Sequence, residues 1–169
     1  MIMKTPIFDL SFWRGRLEQA KSMGQLDQAI GRGFEFKAKI DPAHEKIIEG
    51  LIKPEDKVLD IGCGYGRIAH WFNDEQYIGI DFVPEFIQLA KEIHPNKGFI
   101  EHDLRNPLPW EDNYFDWGIC ISMKGMIIRE QGQEEWDKIE KEAKRVCRKL
   151  LICEYGNNQR EEAEKYEVI

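Results

Sequence analysis

The chain has 169 residues, of which 42% are hydrophobic and 33% are charged, and its formal net charge is −7 at pH 7. This composition fits a globular domain with one core and excludes an intrinsically disordered chain. The acidic balance argues against a general nucleic-acid-binding protein, because phosphate binding depends on clustered lysine and arginine.

No membrane or secretion signal is evident. No apolar segment approaches the roughly 20 residues that a helix needs to span a bilayer, and the N-terminal segment is interrupted by charge and proline. We therefore expect a cytoplasmic protein that does not bind membranes. The cysteines lack the CxxC spacing of metal and redox sites, so no metal site is predicted and reduced thiols are expected at Cys63, Cys120, Cys147 and Cys153.

Two helices are predicted before the first strand. One covers Asp9 to Met23 and ends at Gly24, because apolar residues recur at helical spacing at Leu10, Trp13, Leu17 and Ala20. The other has Asp41 as its N-cap and Pro42 as its first residue, and it continues through Leu51.

From residue 57 onward, short apolar runs alternate with helical patterns, which indicates a parallel sheet covered by helices on both faces. Rich in β-branched or aromatic residues, the predicted strands are KVLDIG (57–62), QYIGID (76–81), KGFIEH (97–102), YFDWGICI (114–121) and KLLICEY (149–155). The predicted helices between them are Gly66 to about Phe72, Pro84 to about Ile93, and about Glu134 to Arg148.

The strongest functional signal is the segment VLDIGCGYG at 58–66, where a hydrophobic strand runs into three closely spaced glycines. Glycines at such a turn let a ligand approach the main chain closely. Asp81 and Asp103 end the next two strands, and in a parallel sheet these strand ends meet at one edge. A carboxylate at the position of Asp81 is suited to accept hydrogen bonds from both hydroxyls of a ribose.

Residues 57–156 resemble the class I S-adenosylmethionine-dependent methyltransferases, especially the small-molecule type with a D-x-G-x-G-x-G loop. The matching segments, in order, are VLDIGCGYGRIA (58–69), YIGIDFVPEFIQLAKE (77–92), FIEHDLRN (99–106) and PLPWEDNYFDWGICIS (107–122). The resemblance implies an α/β fold, a Rossmann-like three-layer sandwich with a mostly parallel sheet, and S-adenosylmethionine as the cofactor.

The resemblance also implies roles for particular residues. Asp60 and the 62–66 loop, including Gly62, Cys63 and Gly64, would hold the methionine portion of the cofactor. Asp81 would hold the ribose, and Phe82 would contact the face of the adenine. Asp103 and Leu104 would hold the adenine amino edge, and Ile121 and Ser122 would lie near the sulfonium. No residue stands out as a general base, so the catalytic residues are left unassigned.

Two departures from the family pattern alter these expectations. The segment ISMKGM after the fourth strand lacks the Asn/Asp-Pro-Pro-aromatic signature of enzymes that methylate exocyclic amines, so a nucleic-acid substrate is not predicted. The short tail after the fifth strand leaves no room for the usual final hairpin of two strands, so a sheet of order 3-2-1-4-5 is expected. Its fifth strand would then be covered by the tail or pair with a second copy in a homodimer.

One domain is expected over residues 1–169, with an N-terminal helical arm (1–40), a cofactor-binding core (41–156) and a tail (157–169). Methyl transfer to an oxygen, nitrogen or carbon of a small molecule or protein side chain is the leading interpretation. One alternative is a regulatory module that binds S-adenosylmethionine without turnover. The other is an NAD-dependent oxidoreductase, which the G-x-G-x-G spacing and the carboxylate of Asp60 before the loop both disfavour.

The N-terminal arm has two interpretations. It is either a helix packed on the edge of the sheet or a lid, over about residues 5–36, that closes on the cofactor. The lid is favoured by a surplus of aromatic residues interleaved with arginines, which suits contact with an adenosyl group and an anion: Phe8, Phe12, Trp13, Phe34, Phe36, Arg14, Arg16 and Arg32.

Overall fold

Six strands form one sheet in the computed structural model, which describes residues 8–26, 29, 42–154 and 165–169. The order of the strands is β3-β2-β1-β4-β5-β6, and all neighbours are parallel except β5 and β6. The strands are β1 Val58–Ile61, β2 Tyr77–Asp81, β3 Gly98–Glu101, β4 Phe115–Ile121, β5 Cys147–Glu154 and β6 Lys165–Val168. The helices are α1 Leu10–Ser22, α2 Pro42–Leu51, α3 Pro84–Ile93, α4 Lys124–Gln131 and α5 Gln133–Val146.

The sheet has a hydrophobic cluster on each face, as the alternating directions of strand side chains require. Leu59 and Ile61 of β1 point into one cluster, with Trp13 of α1 and Trp136 of α5, whereas Val58 points into the other, with Ile48 of α2. Helices therefore cover both faces, and the predicted three-layer fold with parallel order 3-2-1-4-5 is confirmed. None of the helices in the described residues is long and apolar enough to cross a membrane.

Two local predictions were wrong, and one helix was not predicted. The segment after the glycine loop forms turns and a short 3₁₀ helix, Ala69–Trp71, instead of an α-helix from Gly66, because Gly66 has a φ of 79° that no α-helix contains. Helix α4, with its weak apolar periodicity, was missed. Cys147 and Arg148 belong to β5 and not to the preceding helix, since the backbone is already extended at Cys147 (φ −114°, ψ 136°).

Helix α1 begins where it was predicted to begin. The carboxylate of Asp9 caps it by accepting a hydrogen bond of 2.8 Å from the backbone N–H of Ser11. Trp13, Leu17 and Ala20 are buried in the core, so this helix is a packed structural element. Other residues of the predicted arm lie outside the described part of the chain, as does the predicted N-cap of α2: Gly31, Arg32, Gly33, Phe34, Phe36 and Asp41.

The exposed edge predicted for β5 is covered by the tail. β6 pairs antiparallel with β5, and Leu150 and Ile169 exchange backbone hydrogen bonds of 2.8 and 3.0 Å just beyond it. Of the two alternatives predicted for this edge, the structure shows cover by the tail, because β6 already uses backbone groups of β5. In the described residues a single antiparallel strand, β6, follows β5, where the sequence predicted that the usual hairpin of two strands would be lacking.

Substituting Glu167 by Pro tests how much this pairing contributes. Hydrogen-bonded pairs alternate along antiparallel strands, so the N–H of Glu167 faces Ile152, two residues from the bonded pair of Leu150 and Ile169. Proline removes this donor, and we expect Glu167→Pro to lower the free energy of unfolding by about 1–3 kcal/mol relative to Glu167→Ala in urea titrations. Val168→Pro, at a position whose N–H faces away from β5, is the matched control. Equal losses in the two proline variants would contradict the assigned pairing.

Candidate cofactor site

The glycine loop after β1 is held in a backbone conformation that requires glycine. Gly62, Gly64 and Gly66 have φ values of 73°, 55° and 79°, in the left-handed region that side chains disfavour. A Cβ atom at Gly62 would collide with the thioether sulfur of Met123, and one at Gly66 would lie 2.9 Å from the ring of Phe99. The sequence pattern thus reflects both the turn itself and the close packing of side chains against it.

The backbone N–H groups of the loop are used within the protein. Those of Gly62 and Cys63 both donate to the carbonyl of Ile80 at 2.9 Å. The N–H of Gly66 donates to the carbonyl of Cys63 at 3.0 Å, and that of Gly64 donates to the carboxylate of Asp81 at 2.9 Å. Phosphate-binding loops direct free N–H groups and a helix N-terminus at the anion. This loop differs from them because these four N–H groups already have acceptors and because no α-helix directly follows it.

The carboxylate of Asp81 joins the end of β2 to the loop. One oxygen accepts from the N–H of Gly64 and the other from the N–H of Val83, each at 2.9 Å. A carboxylate has about four lone-pair sites, so this one is oriented by its backbone donors and still has acceptor capacity. Burial raises the pKa of Asp81 to about 6, against the lowering effect of its backbone hydrogen bonds.

A cleft of about 430 Å³ lies beyond the ends of β2 and β3, where Phe82, the residue after Asp81, forms part of its wall. It contains two of the predicted site residues, Phe82 and Asp103, together with residues of the N-terminal segment and of the turn after β3. The lining consists of Phe8, Leu10, Phe82, Glu101, His102, Asp103, Arg105 and Asn106. Leu104 lies in the same turn and packs partly buried against the core.

Asp60, for which the resemblance implies contact with the methionine portion, has a buried side chain. Asp60 is only 4% exposed. Its carboxylate accepts a hydrogen bond of 2.6 Å from the hydroxyl of Tyr77. Cys63 is also buried, and its thiol lies 3.4 Å from the carbonyl of Gly64. The carboxylate of Asp60 and the thiol of Cys63 therefore lie buried beneath the loop.

The residues that follow β4 approach the loop through the side chain of Met123. Ser122 has a φ of 59°, unusual for a residue other than glycine, and its N–H donates to the carbonyl of Cys153 at 2.7 Å. Its buried hydroxyl has no hydrogen-bond partner among the described residues. Met123 follows and places its sulfur against Gly62. The backbone strain at Ser122 is of the kind that concentrates at functional sites.

A model of the methyltransferase domain family matches residues 52–167, which include the loop, Asp81 and all six strands apart from the end of β6. The chain belongs to this family. The match confirms the class I methyltransferase prediction, whereas the small-molecule subtype stays a prediction.

Individual relatives agree with the family. This methyltransferase domain is 35% identical over 82 residues to an 18S rRNA (guanine-N(7))-methyltransferase of Bos taurus, covering 46% of this chain and 29% of that protein. A solved S-adenosylmethionine-dependent methyltransferase of Methanosarcina mazei is 28% identical, with 66% of this chain and 58% of that chain covered and a TM-score of 0.55. A TehB-like enzyme of Corynebacterium glutamicum shares the fold, with 20% identity, coverage of 89% and 76%, and a TM-score of 0.56. The chain thus spans less than a third of the bovine relative's length.

Three residues of this methyltransferase domain were not predicted as site residues. Tyr77 lies in the quoted motif YIGID, but only the pairing of β1 with β2 shows that it contacts Asp60. Arg105 lies in FIEHDLRN, two residues after Asp103, but only the fold shows its contact with Phe8. Met123 lies in the segment between β4 and α4, and the residue spacing of that segment carries no signal for contact with a glycine 61 positions earlier.

Replacing Asp60 by Asn is expected to change how stability depends on pH. Burial raises the pKa of Asp60 to about 7, despite the hydrogen bond from Tyr77 and the nearby charge of Arg67. An unfolded aspartate has a pKa of roughly 3.9, so the folded protein holds a proton that the unfolded chain releases between these two pH values. This contribution to stability is fully present below about pH 4 and is lost as the pH rises towards 7.

Urea denaturation of the cofactor-free protein at pH 5 and pH 8 measures the effect. Between these pH values the wild type should lose about 1–3 kcal/mol more unfolding free energy than Asp60→Asn, whose amide oxygen can still accept from Tyr77. Asp137→Asn, an exposed position on α5, should behave as the wild type does. The same pH dependence in all three proteins would show that Asp60 is ionised in the folded state throughout.

Proposed function

We propose that this chain binds S-adenosylmethionine in the cleft beside the glycine loop and transfers its methyl group to an oxygen, nitrogen or carbon nucleophile. The acceptor class proposed is a small molecule or a protein side chain. The observation that carries the proposal is the carboxylate of Asp81, which two backbone N–H groups orient and which retains acceptor capacity beside an aromatic-lined cleft.

The residues present suit each part of the cofactor. Asp81 would accept from the two ribose hydroxyls, and Phe82 would lie against the adenine. Asp103 and Leu104 would meet the amino edge of the adenine, since both follow β3 at the same end of the sheet. The backbone of the 62–66 loop would contact the methionine portion, with Asp60 in a supporting role. Ile121 and Ser122, at the end of β4, would lie nearest the sulfonium.

The same geometry weighs against NAD as the ligand. A dinucleotide brings a pyrophosphate to the glycine loop, where it needs free N–H donors and favourable helix charge. The N–H groups of Gly62, Cys63, Gly64 and Gly66 already have acceptors. A sulfonium and an amino acid make no such demand on the loop.

The protein's part in the reaction would be mainly positioning. The bound cofactor supplies an electrophilic methyl group and a neutral thioether leaving group. Aligning an acceptor with that methyl group can contribute several kcal/mol, since it converts a bimolecular reaction into an effectively unimolecular one. A general base is required only when the acceptor must lose a proton early, and we assign none.

The methyl acceptor is best identified with a panel of candidate substrates that includes RNA. The net charge of −7 disfavours a nucleic acid, whereas the bovine relative is named for a guanine of 18S rRNA. Release of S-adenosylhomocysteine with amino acids, small amines, phenols, peptides and RNA fragments would identify the class. Cofactor binding without turnover on any acceptor would favour the regulatory-module alternative.

Binding of S-adenosylhomocysteine should be in the micromolar range, about −8 kcal/mol, and binding of NAD should be far weaker. Calorimetric titration of both ligands against the full chain measures this. Asp81→Ala should weaken S-adenosylhomocysteine about 10- to 100-fold, because two hydrogen bonds to a charged acceptor are lost. Asp137→Ala is the control for a lost carboxylate elsewhere. Equal or tighter binding of NAD would overturn the proposal.

We further propose that Phe8 and the first turn of α1 act as the cofactor lid, while the rest of α1 stays packed. Phe8 and Leu10 line the cleft, whereas Trp13 lies in the core with its ring centroid 6.3 Å from that of Phe86. Hydrogen exchange with and without S-adenosylhomocysteine should show added protection at amides 8–12 and little change within α5. Equal protection of amides 8–12 in both states would mean that this segment does not respond to the cofactor.

A further inference from the structure

The carboxylate of Asp103 is already engaged within the protein. Its oxygen Oδ1 accepts from the backbone N–H of Arg105 and from the Nε of the same residue, both at 2.9 Å. Oδ2 accepts from Nε at 3.0 Å and from Nη2. The guanidinium therefore binds both carboxylate oxygens, an arrangement that lysine cannot reproduce.

A second side chain holds this arginine in place. The guanidinium carbon of Arg105 lies 4.7 Å from the centroid of the Phe8 ring, a cation–π distance. Phe8 in turn contacts Phe82 edge-on, with ring centroids 6.0 Å apart. All four side chains line the same cleft. The arginine is 48% exposed and the aspartate 26%, so the pair is open to solvent and inexpensive to separate.

We propose that Arg105 is a specificity-determining residue that competes with the adenine amino group for the carboxylate of Asp103. The inference rests on the proposed function, in which Asp103 recognises that amino group. The amino group of adenine is a hydrogen-bond donor, so it must share or replace the bonds that Arg105 makes to Asp103. The oxygen at the same ring position of a 6-oxopurine is a hydrogen-bond acceptor. Asp103 repels this oxygen, whereas Arg105 can donate to it. Arg105 thus lowers the preference of the cleft for adenine over a 6-oxopurine.

The backbone bond from Arg105 to Asp103 is independent of the arginine side chain. Substituting Arg105 therefore leaves the carboxylate oriented through the N–H at 2.9 Å while removing the competing donors. The gain for an adenine nucleoside should be modest, about two- to fivefold, because exposed ion pairs of this kind are weak. A 6-oxopurine should lose affinity on the same substitution.

The test uses calorimetric titration of the full chain with S-adenosylhomocysteine and with its 6-oxo analogue, S-inosylhomocysteine. Arg105→Ala should bind the adenine compound about two- to fivefold more tightly and the 6-oxo compound more weakly. Arg105→Lys should lie between the wild type and Arg105→Ala, because it keeps the charge without the paired bonds. Lys141→Ala, which removes a charge from an exposed position of α5, should change neither affinity.

Asp103→Asn supplies the second arm of the test. In that background Arg105→Ala should give a smaller gain for S-adenosylhomocysteine than in the wild type, since the competing ion pair is gone. Weaker binding of S-adenosylhomocysteine by Arg105→Ala, or equal changes for the two nucleosides, would overturn the inference and leave the proposed function intact. Failure of the wild type to bind S-adenosylhomocysteine would overturn the proposed function and this inference together.

Discussion

The site depends on one carboxylate that joins two neighbouring strands. Asp81 ends β2, and through the N–H of Gly64 it fixes the loop that follows β1, while the N–H of Val83 fixes its own orientation. The loop can donate this bond only because its glycines adopt positive φ values. Asp81 thereby positions the end of β2, the loop and the rim of the cleft together. They lie at the carboxyl ends of the parallel strands, where ligands bind in open α/β sheets.

The parallel strands of the fold could be predicted because their apolar residues carry the signal themselves. Runs such as that of β4 are buried on both faces, and such runs are readable without partners. The failures have physical causes. Positive φ at Gly66 prevents the helix expected there, and α4 has little amphipathic pattern. The strand β6 is polar and exposed, and its identity comes from pairing with β5 and not from its own residues.

Within the site, the motif positions were predictable and their contacts were not. The resemblance points to Asp81, Phe82 and Asp103, and the fold brings these residues to the same end of the sheet, with Phe82 and Asp103 in one cleft. The buried bond from Tyr77 to Asp60 depends on the parallel register of β1 and β2, which spacing along one strand does not reveal. The sequence shows Arg105 two residues after Asp103, but only the fold brings Phe8 of the N-terminal segment against it.

The role of Asp81 can be tested with a crystal structure of the full chain bound to S-adenosylhomocysteine. We expect both ribose hydroxyls to lie within hydrogen-bond distance of the Asp81 carboxylate, about 2.5–3.0 Å. We also expect the bonds from Gly64 and Val83 to this carboxylate to persist in the complex, because they orient it before the ligand arrives. A nucleoside bound elsewhere, or a ribose that makes no contact with Asp81, would contradict this role.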